Sequence, residues 1–306
     1  MKSRLVLAAA ALVAAGALPW IASEFLQSLA LVCLMYIALA TSWAMFCGAT
    51  RYLSLATSAF FGIGAYTCAL TLDQLPWLQA VGLGALLAAG VAVVMGAAVL
   101  HLRGTYFAVL TFGMTELIRH AVTFVEKQVS GTVGRVLAVV PSNETVYLTV
   151  LAIAGVAIAT AIAVKRSRFG LALAGIGADE QRAQTLGVDT RRYKIAGFAL
   201  TAAFAGAVGA AMAVRWTYIE PAAVFSPFIG FQTVLIALIG GAASIGGPVV
   251  AAIVFSLLAE TLRLQLPYGY MMVLGLLLIL CVMYLPNGLA SLWQRKTAAL
   301  RGNGHD

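Results

Sequence analysis

Long apolar runs recur along the whole chain and are joined by short polar connections. A helix needs about 20 mainly apolar residues to cross the hydrocarbon core of a bilayer. Ten runs approach that length, at roughly 5–22, 25–47, 53–72, 77–100, 104–124, 145–164, 195–215, 230–245, 247–263 and 269–285. The pattern predicts an all-α, polytopic transmembrane helical bundle of about ten spans, within a range of eight to ten.

The composition argues against a water-soluble domain. Hydrophobic residues make up 62% of the 306 residues and charged residues only 10%, whereas soluble domains are about 25% charged. The net charge of +8 does not indicate nucleic-acid binding, because the basic residues form short clusters between apolar runs and no basic arm or stripe. We interpret them as signals of membrane topology.

Lysine and arginine are distributed unevenly between the two sides of the predicted bundle. With the N-terminus in the cytoplasm, 14 of the 19 lie on the cytoplasmic side: Lys2, Arg4, Arg51, Arg103, Lys165, Arg166, Arg168, Arg182, Arg191, Arg192, Lys194, Arg295, Lys296 and Arg301. Because basic connections stay in the cytoplasm, both termini are expected there. Residues 1–22 also fit a cleaved signal peptide, and this alternative, which leaves later spans unchanged, stays open.

We expect one transmembrane domain over 1–294, followed by a cytoplasmic tail over 295–306. Its longest cytoplasmic segment is 165–194. Phe169, Leu173 and Ile176 are spaced as one apolar helical face, and the polar stretch 178–187 is long enough for a second short helix that Gly187 would end. Two helices of this kind indicate a docking segment, with a solvated linker as the alternative.

The longest outer connection is predicted at 125–144, on the periplasmic side. Gly131, Gly134 and Pro141 mark turns within it. This segment could face a soluble partner or line an entrance, or it could be a plain connection between two spans. The pattern alone does not separate these alternatives.

Glycines interrupt the apolar runs in both halves of the chain. Gly62 and Gly64 lie in the third run, and Gly240 and Gly241 lie in the eighth. Residues 246–248, with sequence GGP, split the eighth run from the ninth, so these two are candidates for a broken or re-entrant pair. Such backbone is tolerated at membrane depth where it lines a cavity or is buried in protein; the alternative is close packing of helices.

Ionisable residues occur inside two predicted spans. Glu116, Arg119 and His120 share one helical face near the predicted outer end of the fifth span, and Glu260 and Arg263 repeat the spacing in the ninth. Charges in a membrane are costly unless they are paired or face water. These groups therefore predict either a polar lining near the outer mouth or pairs that reach the interface.

The sequence lacks the signatures of common catalytic sites. None of the five lysines follows a glycine, so the chain has no GxxxxGK[ST] phosphate-binding loop, and it has neither HExxH nor GxSxG. The four cysteines, Cys33, Cys47, Cys68 and Cys281, form no CxxC pair. We therefore expect no enzyme, no metal and no cofactor, and any ATP that drives transport would be hydrolysed by another chain.

Several motifs occur together in one order along residues 45–293. They are SL at 54–55 with AFFGIGAY at 59–66, RGTYFAVLT at 103–111 with Glu116 and Arg119, RSRFGLAL at 166–173 continuing through Glu180, Ala183, Leu186, Gly187, RYK at 192–194 and Phe198, GG at 240–241, GGP at 246–248, and LPNGL at 285–289. With these motifs the chain resembles the permease family of branched-chain amino acid ABC importers, in particular its LivM-like members.

The resemblance implies a multi-pass subunit of the bacterial cytoplasmic (inner) membrane that works by alternating access. Its implied partners are a second permease, two cytoplasmic ABC ATPase subunits and a periplasmic substrate-binding protein. The residues expected to couple to the ATPase are Asp179, Glu180, Arg182, Ala183, Leu186 and Gly187. The candidates for the translocation path are Ser54, Thr57, Phe60, Gly62, Gly64, Tyr106, Thr111, Glu116, Gly240 and Gly241.

The motif around residues 51–57 departs from the family pattern. Arg51, Tyr52, Ala56 and Thr57 stand where the family usually has Gly-Gln and Gly-His. Branched-chain amino acids are therefore the default substrate, with urea, short amides and aromatic acids as alternatives. A transporter working without ATP is a further alternative, for which Glu116 and Glu260 would be the candidate ion-coupling carboxylates.

Overall fold

A computed structural model describes residues 15–20, 22–102, 104–137, 140–216, 218–266, 269, 272–273 and 275–276. Residues 15–20 are helical. Most of the predicted spans at 5–22 and 269–285 lies outside the described residues. So do Cys281, the LPNGL motif at 285–289 and the predicted tail at 295–306.

Between residues 24 and 265, the described residues form eleven α-helices and two short strands. The helices are α1 (Glu24–Trp43, continued by a π-helical turn at Ala44–Gly48), α2 (Thr57–Thr71), α3 (Trp77–Val99), α4 (Thr105–Ser130), α5 (Asn143–Arg166), α6 (Arg168–Ala178), α7 (Glu180–Thr185), α8 (Thr190–Met212, continued by a 3₁₀ turn at Ala213–Arg215), α9 (Pro221–Val224), α10 (Pro227–Gly240) and α11 (Gly246–Gln265). The strands are β1 (Arg135–Val136) and β2 (Tyr218–Ile219), which pair antiparallel.

Within these residues, seven helical segments are long and apolar enough to cross a membrane. They are Glu24–Gly48, Trp77–Val99, Thr105–Val129, Asn143–Arg166, Thr190–Arg215, Pro221–Gly240 and Gly246–Gln265. The prediction of an all-α, polytopic membrane protein is thereby confirmed. The total of ten spans and the cytoplasmic position of both termini stay predictions.

The predicted span at 53–72 is wrong in its length, because α2 begins only at Thr57 and has 15 residues. The preceding residues 51–56 form a non-helical connection in which Tyr52, Ser54 and Ala56 are buried. Arg51 has a positive φ of 60°, which interrupts a right-handed helix. The indole Nε1 of Trp43 donates a hydrogen bond to the carbonyl oxygen of Ser54 at 2.8 Å, and so holds this connection against α1.

Helices α2, α3 and α8 pack against one another at the centre of the bundle. A Cβ atom on Gly64 would lie 1.9 Å from the carbonyl oxygen of Gly206, and one on Gly209 would lie 2.0 Å from that of Phe61. Inside a bilayer, where lipid is as apolar as leucine, close van der Waals contact between small residues is a main source of helix association. These glycines therefore allow the central helices to touch through their backbones.

Helices α10 and α11 are separated by residues 241–245, slightly before the break that the sequence predicted. The GGP residues 246–248 begin α11 instead of separating two spans, since a proline is tolerated in the first turn of a helix. Gly241 has a φ of +85°, and the Ser244 Oγ accepts a hydrogen bond from the Gly247 amide at 3.0 Å. The break between the two helices therefore lies a few residues earlier than predicted.

The outer connection is shorter than the predicted 125–144, because α4 continues to Ser130 and α5 begins at Asn143. Gly131 and Gly134 have positive φ values, which confirms the turns expected at these two positions. The longer α4 also corrects the position of Glu116. Its carboxylate lies near the middle of α4 and not near the outer end.

The close approach of α2 and α8 generates a prediction about stability. Gly64→Ala places a methyl group against the backbone of Gly206 and is expected to lower the free energy of unfolding by about 1–3 kcal/mol. Gly82→Ala in α3 is the control, because a Cβ there meets no atom within 4 Å. Thermal unfolding in mild detergent should show a clear loss of stability for Gly64→Ala alone; equal stability of the two variants would contradict the packing described.

Candidate coupling site and translocation path

Two short helices, α6 and α7, connect α5 to α8 at one end of the bundle. This end, called the basic end below, also contains the connections at 49–56, 100–102 and 241–245, and the cations Lys165, Arg166, Arg168, Arg191 and Arg192. The predicted apolar face of α6 is confirmed. Leu173 and Ile176 are buried, and the Phe169 ring is half-buried with its centroid 5.6 Å from that of Tyr193.

Side-chain caps define where these helices begin. The Asp179 Oδ1 accepts hydrogen bonds from the backbone amides of Gln181 and Arg182 at 3.0 and 3.1 Å, and so caps α7. Ser167 and Asp189 cap α6 and α8 in the same way. Gly187 follows α7 with a φ of +84°, as expected for a residue that ends a helix. The polar helix predicted within 178–187 is confirmed, with the tighter bounds 180–185.

The six predicted coupling residues divide into two groups. Glu180 and Ala183 are buried and face the membrane helices. Arg182 and Leu186 face outward, with 86% of the Arg182 side chain and 84% of Leu186 exposed. Because Asp179 and Gly187 mark the two ends of α7, the surface that a partner protein could reach consists mainly of Arg182, Leu186 and their exposed neighbours.

The buried side of α7 contains an ion pair that the sequence analysis did not predict. The Glu180 Oε1 lies 2.6 Å from the Lys194 Nζ, and the Tyr52 hydroxyl donates to the Glu180 Oε2 at 2.8 Å. Lys194 also donates to the carbonyl oxygen of Leu100 at 2.8 Å. In the sequence, Lys194 contributed only to the charge bias and to the RYK motif. Its position directly before the apolar run that begins at Ile195 is the signal that could have indicated a buried partner.

Three of the predicted path residues lie together around the connection at 49–56. Ser54, Thr57 and Thr111 are all buried. The backbone amide of Leu55 donates to the Thr111 Oγ1 at 3.1 Å, which joins this connection to α4. Phe60 lies one turn further along α2, buried against the ring of Phe198 with 5.3 Å between centroids.

The other predicted path residues lie elsewhere. Gly62 packs against the ring of Phe225, and Gly64 against the backbone of Gly206. Tyr106 is exposed at the start of α4. Gly240 and Gly241 lie at the break before α11, where Gly240 contacts Gly247. Within the described part of the chain, the ten candidates therefore do not form one continuous lining.

Glu116 lies on an exposed side of α4 together with its predicted partners. Its carboxylate forms an ion pair with Arg119 and lies 4.0 Å from the Nε2 of His120. Glu260 and Arg263 are paired more loosely in α11, at 3.9 Å. The predicted pair of Glu116 with Arg119 and the predicted pair of Glu260 with Arg263 are therefore both present, each within its own helix.

A second buried carboxylate lies at the opposite end of the bundle. Glu126 accepts a hydrogen bond from the Tyr66 hydroxyl at 2.9 Å, and its Oε1 lies 3.5 Å from the Nε of Arg135. This cluster joins α4 to α2 and to strand β1. It was not predicted, because the three residues are far apart in sequence and meet only in the fold.

A cavity of about 420 Å³ lies at the basic end, between the π-helical turn, α6 and the connection at 241–245. Its lining is mostly apolar, with Arg51 and Lys165 among the lining residues. The Lys165 Nζ donates to the carbonyl oxygen of Ala243 at 2.8 Å. The volume lies in the range of small-molecule pockets, and the lining residue Ala242 directly follows the predicted path residue Gly241.

These features define a polytopic α-helical membrane protein with a capped two-helix segment between two of its membrane-spanning helices. The chain belongs to the family described as the permease component of the branched-chain amino acid transport system, whose model matches residues 25–283. This assignment confirms the resemblance based on the sequence motifs.

Two curated relatives are similar along most of the chain. The high-affinity branched-chain amino acid transport system permease protein LivM of Escherichia coli (strain K12) is 27% identical over 323 aligned positions, which cover 94% of this chain and 75% of the relative. LivM of Salmonella typhimurium is 26% identical with the same coverage. No solved structure matches the chain significantly.

The geometry at the end of α7 generates a prediction about local order. Gly187→Ala forces a Cβ into the left-handed region and should cost about 1–2 kcal/mol, which loosens α7. Gly175→Ala in α6 is the control, because Gly175 has no positive φ and a Cβ there meets no atom within 4 Å. Hydrogen exchange of residues 178–190 should be faster in Gly187→Ala only; unchanged exchange would contradict the role given to Gly187.

Proposed function

We propose that this chain is the membrane-spanning permease subunit of an ATP-binding-cassette importer. It would carry branched-chain or related small amino acids inward across the bacterial cytoplasmic membrane by alternating access. Two separate ATPase subunits would hydrolyse the ATP, and an extracytoplasmic binding protein would deliver the substrate. The family and the two LivM relatives support the substrate class.

The observation that carries this proposal is the outward face of α7. By the positive-inside rule, the basic end is assigned to the cytoplasm, so this face would meet water and not lipid. Leu186 is 84% exposed and lies one turn from Arg182, whose side chain is 86% exposed, so this face is open to contact with a partner protein. Leucine and arginine together provide an apolar anchor and a charge for an ATPase surface.

The composition and exposure of helix α4 support the proposal that a second permease is a partner. It has the lowest mean hydropathy of the seven candidate spans, 1.2 against 1.6–2.3, yet only 11% of its most apolar stretch is buried within the chain, against 28–72% for the others. This side also contains the partly exposed Glu116 and the exposed His120. Because charges are expensive in lipid, we infer that this side faces a second permease subunit and the polar path between the two.

In this mechanism the binding protein releases substrate at the outer end, where β1 and β2 pair. ATP binding closes the two ATPases and displaces α7, and the helices switch between outward and inward openings. The change requires that α7 has different contacts in the two states, since a ligand shifts an equilibrium only through differential affinity. Residues Ser54, Thr57 and Thr111 would lie on the path, because they join the connection at 49–56 to α4.

The proposal is tested by purifying the tagged chain in mild detergent and identifying the proteins that remain bound. We expect an ATPase with a phosphate-binding loop and a second permease. In proteoliposomes with the binding protein, ATP should drive uptake of labelled leucine, isoleucine or valine. ATP-driven uptake of urea, amides or aromatic acids instead would correct the substrate. Uptake by the chain alone, without ATP, would overturn the proposal.

The exposed face of α7 generates a specific prediction. Leu186→Ser removes the apolar anchor and should lower ATPase recovery and substrate uptake by about tenfold. Leu78→Ser is the control, because Leu78 is a similarly exposed leucine at the start of α3, at the opposite end of the bundle. We expect uptake within about twofold of wild type for Leu78→Ser. Equal ATPase recovery by both variants would show that α7 is not the contact surface.

A further inference from the structure

A buried polar cluster lies directly behind the exposed face of α7. It consists of Glu180 on α7, Lys194 on α8 and Tyr52 in the connection at 49–56, and it is called the ion-pair cluster below. The Lys194 Nζ lies 2.6 Å from the Glu180 Oε1 and 3.1 Å from the Tyr52 hydroxyl. The same ammonium group lies 4.7 Å from the centroid of the Tyr52 ring. One cation therefore holds three chain segments together.

Both charges are largely buried, which makes the ion pair costly to separate. Lys194 is only 4% exposed and Glu180 only 9%. Separating a buried ion pair leaves two charges without compensation, which is strongly unfavourable. When α7 is displaced, Glu180 is therefore expected to draw Lys194 and Tyr52 with it instead of breaking away from them.

Aromatic contacts continue from the ion-pair cluster into the membrane helices. The Tyr52 ring meets Phe107 of α4 edge-on, with 5.3 Å between centroids. Phe107 lies 6.3 Å from Phe198 of α8, and Phe198 lies 5.3 Å from Phe60 of α2. These rings form a continuous packed series from Tyr52, which contacts Glu180 of α7, to Phe60 of α2. Helix α2 also contains the predicted path residues Thr57, Gly62 and Gly64.

The connection at 49–56 provides a second, polar route from Tyr52. Ser54 follows Tyr52 by two residues and accepts the hydrogen bond from Trp43 of α1. The amide of Leu55 is bonded to Thr111 of α4. A shift of Tyr52 would therefore move the backbone that connects α1 to α2 and that is hydrogen-bonded to α4.

A cavity of about 460 Å³ lies beside the ion-pair cluster, between the end of α3 and the start of α8. Glu180 and Lys194 line it together with His101 and Gln184. Close-packed protein interiors resist displacement. The cavity means that no close-packed protein separates the end of α3 from α7 on this side, so α7 can tilt there without compressing the core.

We propose that the ion-pair cluster transmits the displacement of α7 to the connection at 49–56 and to α2 and α4. Lys194 and Tyr52 are then positioning residues for transport and make no contact with ATP. The inference rests on the proposed function, in which an ATPase moves α7. It adds that the inward side of α7, and not only its outward docking face, determines whether ATP hydrolysis is converted into transport.

The test measures the substrate transported per ATP hydrolysed in the reconstituted complex. Lys194→Met should lower this ratio by about tenfold or more, because α7 loses its connection to Tyr52 while its outward face is unchanged. Arg192→Met is the matched control, since it removes the same charge from the same helix but breaks an exposed pair with Asp189. We expect the ratio for Arg192→Met to stay within about twofold of wild type.

A second variant separates transmission from folding. If Lys194→Met does not assemble, the double variant Glu180→Leu with Lys194→Met removes both charges and leaves none unpaired. An assembled double variant with a low transport ratio supports the proposal, and a normal ratio overturns it. Tyr52→Phe, which keeps the ring contact with Phe107, should lower the ratio less than Lys194→Met.

The outcomes distinguish this inference from the proposed function. If wild type and Arg192→Met show ATP-driven uptake and Lys194→Met has the same transport ratio, the transmission role is wrong and the importer function stands. If wild type itself shows no ATP-driven uptake, the proposed function fails and the inference fails with it. A loss of total uptake with an unchanged ratio would show that the ion-pair cluster only stabilises the fold.

Discussion

Backbone-to-backbone contact between α2, α3 and α8 is the constraint on which the rest of the bundle depends. A Cβ on Gly84 would lie 3.2 Å from the carbonyl oxygen of Gly64, and one on Gly206 would lie 2.7 Å from the carbonyl oxygen of Gly84. Helices that approach this closely have little freedom to slide or rotate, since any side chain larger than hydrogen would collide. The three helices therefore behave as one unit around which α1, α4, α5, α10 and α11 are arranged.

The elements that pattern alone can predict are those specified locally. The α6 face of Phe169, Leu173 and Ile176 follows from helical spacing, and the end of α7 follows from the preference of glycine for positive φ. Both expectations were confirmed. The motifs also identified the family, because their order along the chain reflects the whole sequence and not one segment.

The expectations that failed depend on contacts between distant residues. The span predicted at 53–72 is apolar enough by composition, but the contact of Trp43 with Ser54 holds its first residues out of the helix. The outer end of α4 was placed too early because the charges of Glu126 and Lys127 resemble a connection. Glu126 is instead buried by Tyr66 and Arg135, and the helix continues to Ser130. No local pattern contains these pairings.

Helix α8 joins the rigid unit to the proposed coupling site. It holds Lys194 near its start and Gly206 twelve residues later, about 18 Å along a helix of regular rise. A displacement of α7 that is carried by Lys194 therefore acts on α2, α3 and α8 together, since these helices cannot move independently at their glycine contacts. Helix α4 meets this unit through few side chains and has most of its surface outside the chain's own core. The boundary between α4 and the rigid unit is thus the place where relative motion costs least, and the buried Thr111, bonded to the amide of Leu55, lies at that boundary.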